Sequence, residues 1–415
     1  MKKITIAIPF QQHSFRTAKG LIKYNMLNKY FTSVYNDEKG IYKILKFVLS
    51  EDLIKRMKGR ADKEISPYVI RISSFYGLLY LAAFRIEFLK KYVPNIRNIL
   101  LKSFGKKTVK ECYKINSQFI ITYDTQSYDI FEEISKKQYS IIKILDMAST
   151  SALTIRRIID EEVKKNYPFS NSLKRHKIAY NDQQCSIYKK EIDLADYLLV
   201  PSNFVKESLK EIGVSEEKIF YLPHGVDINM FSPNYKKLNL NARLTFLFVG
   251  RVEAAKGIYY LLEAFKQLQT LKIKLLVVGD TMGQLEELKK YTSNVEFVGL
   301  KRRDEMPEYY NKADVFILSS LWEGSSLSLL EALAMGLPAI ASKYSCAPEV
   351  IIEGEEGFVI EPRDIVELKK RIIWFYNNKE RIPEMSKKAR TKVEEYTWEN
   401  YENNISKIIK KIMYK

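Results

Sequence analysis

The chain has 415 residues, of which 46% are hydrophobic, with 16 Gly and 12 Pro. This length predicts two domains, and the composition excludes disordered and collagen-like chains. Residues 1–240 contain 41 Lys and Arg against 25 Asp and Glu, so they carry +16 of the net charge of +18. The excess indicates an anionic partner, which could be nucleic acid, anionic lipid or a phosphorylated substrate. A general compositional drift towards Lys is the alternative.

The cysteines are far apart, without a Cys-x-x-Cys spacing, and the three histidines lie far from them. We therefore expect reduced, buried thiols in a cytoplasmic protein and no metal site. The first residues, MKKITIAIPF, predict a strand because they lack the apolar length and cleavage site of a signal peptide. The longest uncharged run of this half, 72–84, is too short to span a bilayer.

Strands and helices are predicted to alternate through the first half of the chain. A helix is expected from about Ser14 to Tyr30, and Ser202 should cap another. Apolar runs predict strands at 2–10, 119–124, 141–148, 196–202 and 218–226. This alternation is typical of a parallel, doubly wound sheet.

The same alternation of strands and helices is predicted again after a polar linker at 229–242. Strands are predicted at 244–250, 274–280, 295–300, 314–320 and 338–343. We therefore expect a first domain over 1–225, joined by an amphipathic C-terminal helix at about 395–415, and a second over 226–394. Ligands should bind at the carboxyl ends of the strands, in the cleft between the domains.

Two basic helical segments are predicted in the first domain, at 41–60 and 85–114. The second has nine Lys or Arg against two Glu, with apolar residues near helical spacing and a break at Pro94. This pattern fits a helix lying on an anionic membrane. It also fits an ordinary core-facing helix with a solvated basic face.

The stretch Glu323–Glu331, EGSSLSLLE, follows a predicted buried strand. Ser325 or Ser326 can cap a helix whose unpaired N–H groups suit a phosphate. Glu331 would lie roughly 8 Å along that helix at about 1.5 Å per residue. One carboxylate could then meet a sugar hydroxyl while the other lies beyond the phosphates. A surface turn with two solvated acids is the alternative.

A second loop, after the strand at 244–250, contains Gly250, Arg251 and Lys256. Gly250 permits a tight turn at the strand end. The two cations could hold a diphosphate and stabilise it as a leaving group.

Four stretches together resemble glycosyltransferase family 4: GRVEAAKG, the pair Glu323/Glu331 at E-x7-E spacing, EALAMGLPAIAS and APEVIIEGEEGFVIEP. PHGVD at 223–227 is similar to the family's inter-domain segment, with His224 in place of the usual Asn. The resemblance implies a GT-B fold, in which two doubly wound Rossmann-like domains face each other across a cleft and the C-terminal helix packs back on the first. It also implies retaining, metal-independent transfer from a nucleotide sugar, here expected to be a UDP-sugar, without another cofactor.

The resemblance further implies roles for residues of the second domain. Arg251 and Lys256 would bind the donor diphosphate, Glu331 the ribose and Glu323 the donor sugar. Further donor-binding residues are Gly250, Lys301 near the base, and the backbone of Gly324, Ser325, Ser326 and Leu327.

The first domain departs from the family pattern. Its first loop reads PFQQHSF where many members have a Gly-Gly pair, and Asp146 replaces a common His at a strand end. We predict that His13 and Asp146 bind the acceptor, and that Asp146, Glu323, Arg251 and Lys256 form the catalytic set. Helix capping or a structural role is the alternative for Asp146, and Asp124 is a weaker candidate.

The predicted function is transfer of a sugar to a glycan or lipid-linked acceptor in bacterial surface polysaccharide or glycoconjugate synthesis. The basic first domain fits work at the cytoplasmic face of an anionic membrane. A nucleotide-sugar epimerase on the same fold and a non-catalytic binding subunit are the alternatives. Nucleic acid is not expected as a partner, because the chain has no aromatic–basic RNA motif or recognition helix.

Overall fold

The computed structural model describes residues 3–36, 60–84, 86–165, 170, 172–234, 242–283, 288–291 and 293–414. The predicted basic helix at 41–60 lies almost entirely outside the described residues, as does the middle of the predicted linker at 229–242.

The first half of the chain builds one seven-stranded sheet, in which all neighbouring strands pair in parallel. The strands are β1 (Ile4–Ala7), β2 (Leu27–Thr32), β3 (Val69–Arg71), β4 (Phe119–Tyr123), β5 (Ile142–Asp146), β6 (Tyr197–Val200) and β7 (Ile219–Tyr221). They lie in the order β3-β2-β1-β4-β5-β6-β7. All five predicted strands are present.

Two strands of this sheet were not predicted. The helix expected over 14–30 ends at Lys23, and Asn25 follows with a left-handed φ of 54°. The chain then enters β2, where Tyr30 and Phe31 are buried in the core on opposite faces of the sheet. The helix prediction was therefore wrong beyond residue 23, because tertiary burial of these aromatic residues decides the local structure.

Helices cover both faces of the first sheet, and the predicted break at Pro94 is confirmed. Pro94 lies in the first turn of a helix that begins at Val93, after a 3₁₀ turn over Glu87–Tyr92. The helices are α1 (Ser14–Lys23), α2 (Ser74–Ala83), α3 (Val93–Lys114), α4 (Tyr128–Lys136), α5 (Ala152–Lys164), α6 (Ser172–Ala179), α7 (Asp182–Leu194) and α8 (Asn203–Lys210).

The second half builds a six-stranded parallel sheet in the order β10-β9-β8-β11-β12-β13. Its strands are β8 (Leu244–Val249), β9 (Ile273–Val278), β10 (Val295–Gly299), β11 (Val315–Leu318), β12 (Ala339–Ser342) and β13 (Gly357–Ile360). Its helices are α9 (Ile258–Lys266), α10 (Met306–Tyr310), α11 (Leu327–Ala334), α12 (Ala347–Val350), α13 (Ile365–Asn377) and α14 (Ile382–Val393). Near-continuous apolar runs form these strands because helices cover both faces.

The strand order reverses between β1 and β4 in one sheet and between β8 and β11 in the other. Ligands of doubly wound sheets bind at such points, outside the carboxyl ends of the strands. The final helix, α15 (Trp398–Met413), packs on α1 of the first sheet, where Thr17 and Tyr401 hydroxyls lie 2.9 Å apart. The predicted GT-B architecture and the return of the C-terminal helix are confirmed.

Helices α5 and α6 follow β5 in the chain but contribute to the core of the second sheet. Ile155, Ile158 and Leu173 are buried in the same apolar cluster as β8 and α9. The buried Glu162 accepts a hydrogen bond from Tyr260 at 2.8 Å and lies 2.6 Å from Arg363 Nε. The two halves of the chain are thus joined by a shared apolar core as well as by the cleft.

Candidate active site between two parallel sheets

The loop after β8 and the loop after β11 meet at one point. Gly257 has a left-handed φ of 65°, and an added Cβ there would lie 1.8 Å from the Ser319 carbonyl oxygen. This close approach lets Lys256 Nζ donate to Glu323 Oε1 at 2.7 Å. Ser320 Oγ donates to the same oxygen at 2.7 Å. The structure therefore brings together two of the predicted catalytic residues from loops 67 positions apart.

Arg251 follows Gly250 at the end of β8, and its side chain is 56% exposed. Its Nη2 atom lies 3.0 Å from Glu253 Oε1, whose side chain is almost completely buried. Glu253 thus holds the guanidinium beside the Lys256–Glu323 pair. Glu253 was not among the predicted site residues, although it lies within the GRVEAAKG motif.

Helix α11 begins between these loops and the first sheet. Ser326, rather than Ser325, is the N-cap residue, and its hydroxyl accepts the Leu329 N–H at 3.4 Å. Gly324 and Ser325 precede it at the mouth of a cavity. The N–H groups and positive end of this helix are thus placed to meet an anion in the cleft.

Glu331 is the fifth residue of α11, as predicted, and is largely buried. Burial raises the pKa of its carboxyl, and the opposing effects are the charge of Arg303 and a hydrogen bond from Tyr310. Tyr310 Oη donates to Oε2 at 3.0 Å, and Arg303 Nη2 lies 3.6 Å from Oε1. The carboxylate is therefore oriented on one side and can accept hydroxyl hydrogen bonds on the other.

Two cavities lie on either side of the start of α11. One, of about 240 Å³, is lined by Arg251, Lys256 and Glu323. The other, of about 410 Å³, is lined by Arg303 and Leu327. An elongated ligand crossing the helix start would place one end near Glu323 and the other near the Arg303 side of Glu331.

Lys301 does not line either cavity. Its Nζ atom lies 5.5 Å from the centre of the Tyr309 ring, whereas Arg303, two residues on, faces Glu331. The sequence showed a run of three cations at 301–303 but gave no means of choosing among them. The base contact predicted for Lys301 stays a prediction.

Across the cleft, His13 and Asp146 form a contact that joins the loop after β1 to the end of β5. His13 Nε2 lies 2.9 Å from Asp146 Oδ2, and the two side chains are 9% and 4% exposed. Tyr401 of α15 donates to the same carboxylate oxygen at 3.4 Å. The structure thus brings together both predicted acceptor-binding residues and ties them to the C-terminal helix.

His224, from the PHGVD segment, packs against His13 with ring centres 4.3 Å apart and the ring planes tilted by 51°. Its pKa is lowered well below the usual value by burial and by the charge of His13. Burial also raises the pKa of the neighbouring Asp124 to about 7, and the charge of Asp146 adds to the effect. This edge therefore holds titratable groups in a nearly water-free network.

The third histidine of the chain, His176 on α6, lies at the same cleft. Its Nε2 atom is 3.3 Å from Glu253 Oε2, and it lines the smaller cavity with Tyr180. Sequence reasoning missed both residues. The available signal was the rarity of histidine: the chain has three, and all three lie at the cleft.

Residues 233–392 match the family model described as glycosyl transferases group 1. The chain is 31% identical over 203 residues to the UDP-Gal:alpha-D-GlcNAc-diphosphoundecaprenol alpha-1,3-galactosyltransferase of Escherichia coli, covering 45% of this chain and 52% of that protein. It is 28% identical over 216 residues to the sulfoquinovosyl transferase SQD2 of Arabidopsis thaliana, covering 49% of this chain and 42% of that protein. The matches thus span about half the length of these curated relatives.

The whole chain superposes on a sucrose-phosphate synthase from Thermosynechococcus elongatus with a TM-score of 0.69 and 16% identity, covering 100% of both chains. That likeness concerns the fold. Over residues 233–392, the chain is similar to the group 1 glycosyl transferases.

Proposed function

We propose that this protein is a retaining glycosyltransferase that moves a sugar from a nucleotide diphosphate sugar, expected to be a UDP-sugar, to a glycan or lipid-linked acceptor. The observation that carries the proposal is the Lys256–Glu323 pair at the start of α11, between two cavities. A cation, a helix N-terminus and two carboxylates at different depths match a ligand with a nucleoside, a diphosphate and a sugar in line.

In this arrangement the diphosphate lies at the start of α11 and against Lys256 and Arg251. Glu331 accepts hydrogen bonds from the ribose, and Glu323 accepts them from the donor sugar. Charge that builds on the leaving diphosphate is stabilised by groups fixed before the reaction. We infer front-face substitution, in which the acceptor hydroxyl attacks from the side of the leaving group and the diphosphate accepts its proton. No role is assigned to a metal.

The acceptor would approach from the first sheet, where His13 lines the larger cavity and the buried Asp146 lies 2.9 Å from its Nε2 atom. The E. coli relative is named for an acceptor carried on diphosphoundecaprenol. A lipid-linked or glycan acceptor in surface polysaccharide synthesis is therefore the class that we propose. Such an acceptor would be met at the cytoplasmic face of the membrane.

An exposed apolar surface on the first domain supports contact with an anionic membrane. Helix α2 has no charged residue, and only Gly77 and Ala83 of its ten residues are buried. Phe75 and Phe88 are 73% and 71% exposed. Lys102 and Lys106 are exposed on α3, on the same helical face as the exposed Ile99. Aromatic side chains beside lysines suit an interface of anionic lipid.

Within the described residues, no helix has the length and apolar character needed to cross a bilayer. The exposed aromatic and lysine side chains are the basis for proposing peripheral contact, which vesicle sedimentation can test. Neutralising Lys102, Lys106 and Lys107 together should reduce binding to vesicles that contain anionic lipid, most strongly at low salt. Unchanged binding at low salt would remove the membrane proposal and leave the transferase proposal intact.

The transferase proposal is tested by thermal unfolding with a panel of nucleotide sugars. A donor at 100 times its Kd adds about 2.7 kcal/mol to the free energy of unfolding. Incubating the stabilising donor with candidate acceptors should then yield a glycosylated product with retained anomeric configuration. A changed sugar without any acceptor would favour the epimerase, and binding without turnover would favour the non-catalytic subunit.

A further inference from the structure

Helix α6 lies directly against the loop that follows β8. Ser172 Oγ accepts the N–H of Ala254 at 2.9 Å, and Leu173 is completely buried in the core of the second sheet. Helix α5 is fixed to the same sheet through Glu162 and Tyr260. Although α6 follows β5 in the chain, it is therefore anchored to the half of the molecule that contains Arg251 and Lys256.

The inner side of α6 faces the cavity of about 240 Å³. His176 lies 3.3 Å from Glu253 and packs edge-on against Trp322, with ring centres 5.6 Å apart. Tyr180, just after the helix, lines the same cavity. The opposite wall includes Glu323, Gly324 and Ser325, so residues from both halves of the chain line the cavity.

The charges of this cavity indicate what it can hold. Lys256 is paired with Glu323, and Arg251 is paired with Glu253. A bound diphosphate would attract the two cations away from their acidic partners. The two carboxylates and the His176 imidazole would then face the next group of the ligand. Carboxylates accept hydrogen bonds from hydroxyls and repel a second carboxylate. The cavity therefore favours a neutral, polyhydroxylated group over an acidic one.

We propose that His176 and Tyr180 form the wall that selects the transferred sugar, and that the cavity takes one neutral pyranose. This inference rests on the proposed function, because it assigns the part of the donor beyond the diphosphate. Neither residue belongs to the stretches by which the chain resembles its family.

Calorimetry on the full chain separates the sugar from the rest of the donor. The probes are UDP, UDP-glucose, UDP-galactose and UDP-glucuronic acid, with GDP and GDP-mannose as a second base. The wild type should bind one or more neutral hexosyl nucleotides more tightly than the bare diphosphate and UDP-glucuronic acid more weakly. In His176→Ala the affinity for the hexosyl nucleotide should fall about tenfold, the loss of one hydrogen bond near a charged group. Affinity for the bare diphosphate should stay within about twofold.

Two further variants test whether the effect comes from the sugar contact. His176→Gln keeps a side chain that can reach Glu253 and should recover part of the affinity. Lys177→Ala, on the same helix but paired with Asp160 of α5, should bind all probes like the wild type. Thermal unfolding of each variant separates loss of contact from loss of folding.

Equal weakening of diphosphate and hexosyl nucleotide in His176→Ala, or no weakening of either, would overturn the inference while leaving the transferase proposal standing. Tight binding of UDP-glucuronic acid would overturn the preference for a neutral sugar. A wild-type protein that binds none of the probes would contradict the proposed function itself, and the inference with it.

Discussion

The two sides of the cleft satisfy their charged groups in different ways. On the side of the second sheet, Lys256 and Arg251 pair with acids at the walls of a cavity, where a ligand can replace the partner. On the side of the first sheet, His13 and Asp146 are buried and held by Tyr401 and by the ring of His224. The first arrangement can exchange partners with a ligand, whereas the second is a fixed support. Substitutions on the two sides should therefore have different consequences.

The largest effect is expected for Lys256→Ala. Under the proposed function, the variant removes the cation expected to face the leaving diphosphate. Turnover should then fall about a hundredfold to a thousandfold, since loss of one such group costs about 2.7–4 kcal/mol. Steady-state kinetics with saturating acceptor measures the change. Lys266→Ala, exposed at the end of α9, is the matched control. Activity within about twofold of the wild type would remove Lys256 from the diphosphate site.

Asp146→Asn tests the fixed side of the cleft. Because it removes the charge that orients His13, we expect turnover to fall about tenfold or more while the Kd of the donor nucleotide stays unchanged. Turnover and nucleotide calorimetry are measured on the same preparation, with Asp193→Asn, exposed at the end of α7, as control. A parallel loss of nucleotide affinity would mean that the first sheet also contributes to nucleotide binding.

Glu331→Ala should produce a smaller change, confined to nucleotide binding. Loss of a hydrogen-bonding carboxylate predicts an affinity for nucleoside diphosphate about tenfold weaker. Calorimetry measures it, and Glu308→Ala on α10 is the exposed acidic control. Unchanged affinity would disprove the ribose role of Glu331. It would also remove the explanation for the position of Arg303 beside this carboxylate.

Asp124 should make the stability of the protein depend on pH. Burial raises its pKa to about 7, so the folded state holds a proton that the unfolded state releases near its ordinary value of 3.8. The corresponding stability is complete below pH 3.8 and is lost as the pH rises through about 7. Asp124→Asn should therefore flatten the pH dependence of the free energy of unfolding in this window. Chemical denaturation from pH 5 to pH 8 measures the slope, and an unchanged slope would contradict the prediction.

The sequence predicted the second sheet and its loops better than the first. Arg251, Lys256, Glu323 and Glu331 lie within about eighty residues, in motifs whose spacing carries the geometry. The network of the first sheet joins residues 13, 146, 224 and 401, which are brought together only by the fold. Pairwise contacts over such separations leave no local pattern. The pairing of His13 with Asp146 therefore could not be read from the chain, although both residues were selected.

The same reasoning explains why the sequence did not reveal strand β2 or the packing of helix α6. Strand β2 was hidden because its sequence, LNKYFT, contains polar residues and continues the amphipathic pattern of α1. Nothing in the sequence of helix α6 indicated that it packs on the opposite half of the molecule. Its contact with Ala254 depends on the way the two sheets face each other.

The two walls of the cleft already touch between the two cavities. An added Cβ on Gly324 would lie 2.0 Å from the Ala148 carbonyl oxygen, and Thr150 and Ser202 donate to the backbone carbonyls of Glu323 and Gly324. If the proposed nucleotide sugar runs from one cavity to the other, this contact must separate before the ligand can enter. We therefore expect the observed association rate to level off at high donor concentration, at the rate at which the walls part. Stopped-flow measurement of that plateau would give the rate at which the cleft opens in the protein without ligand.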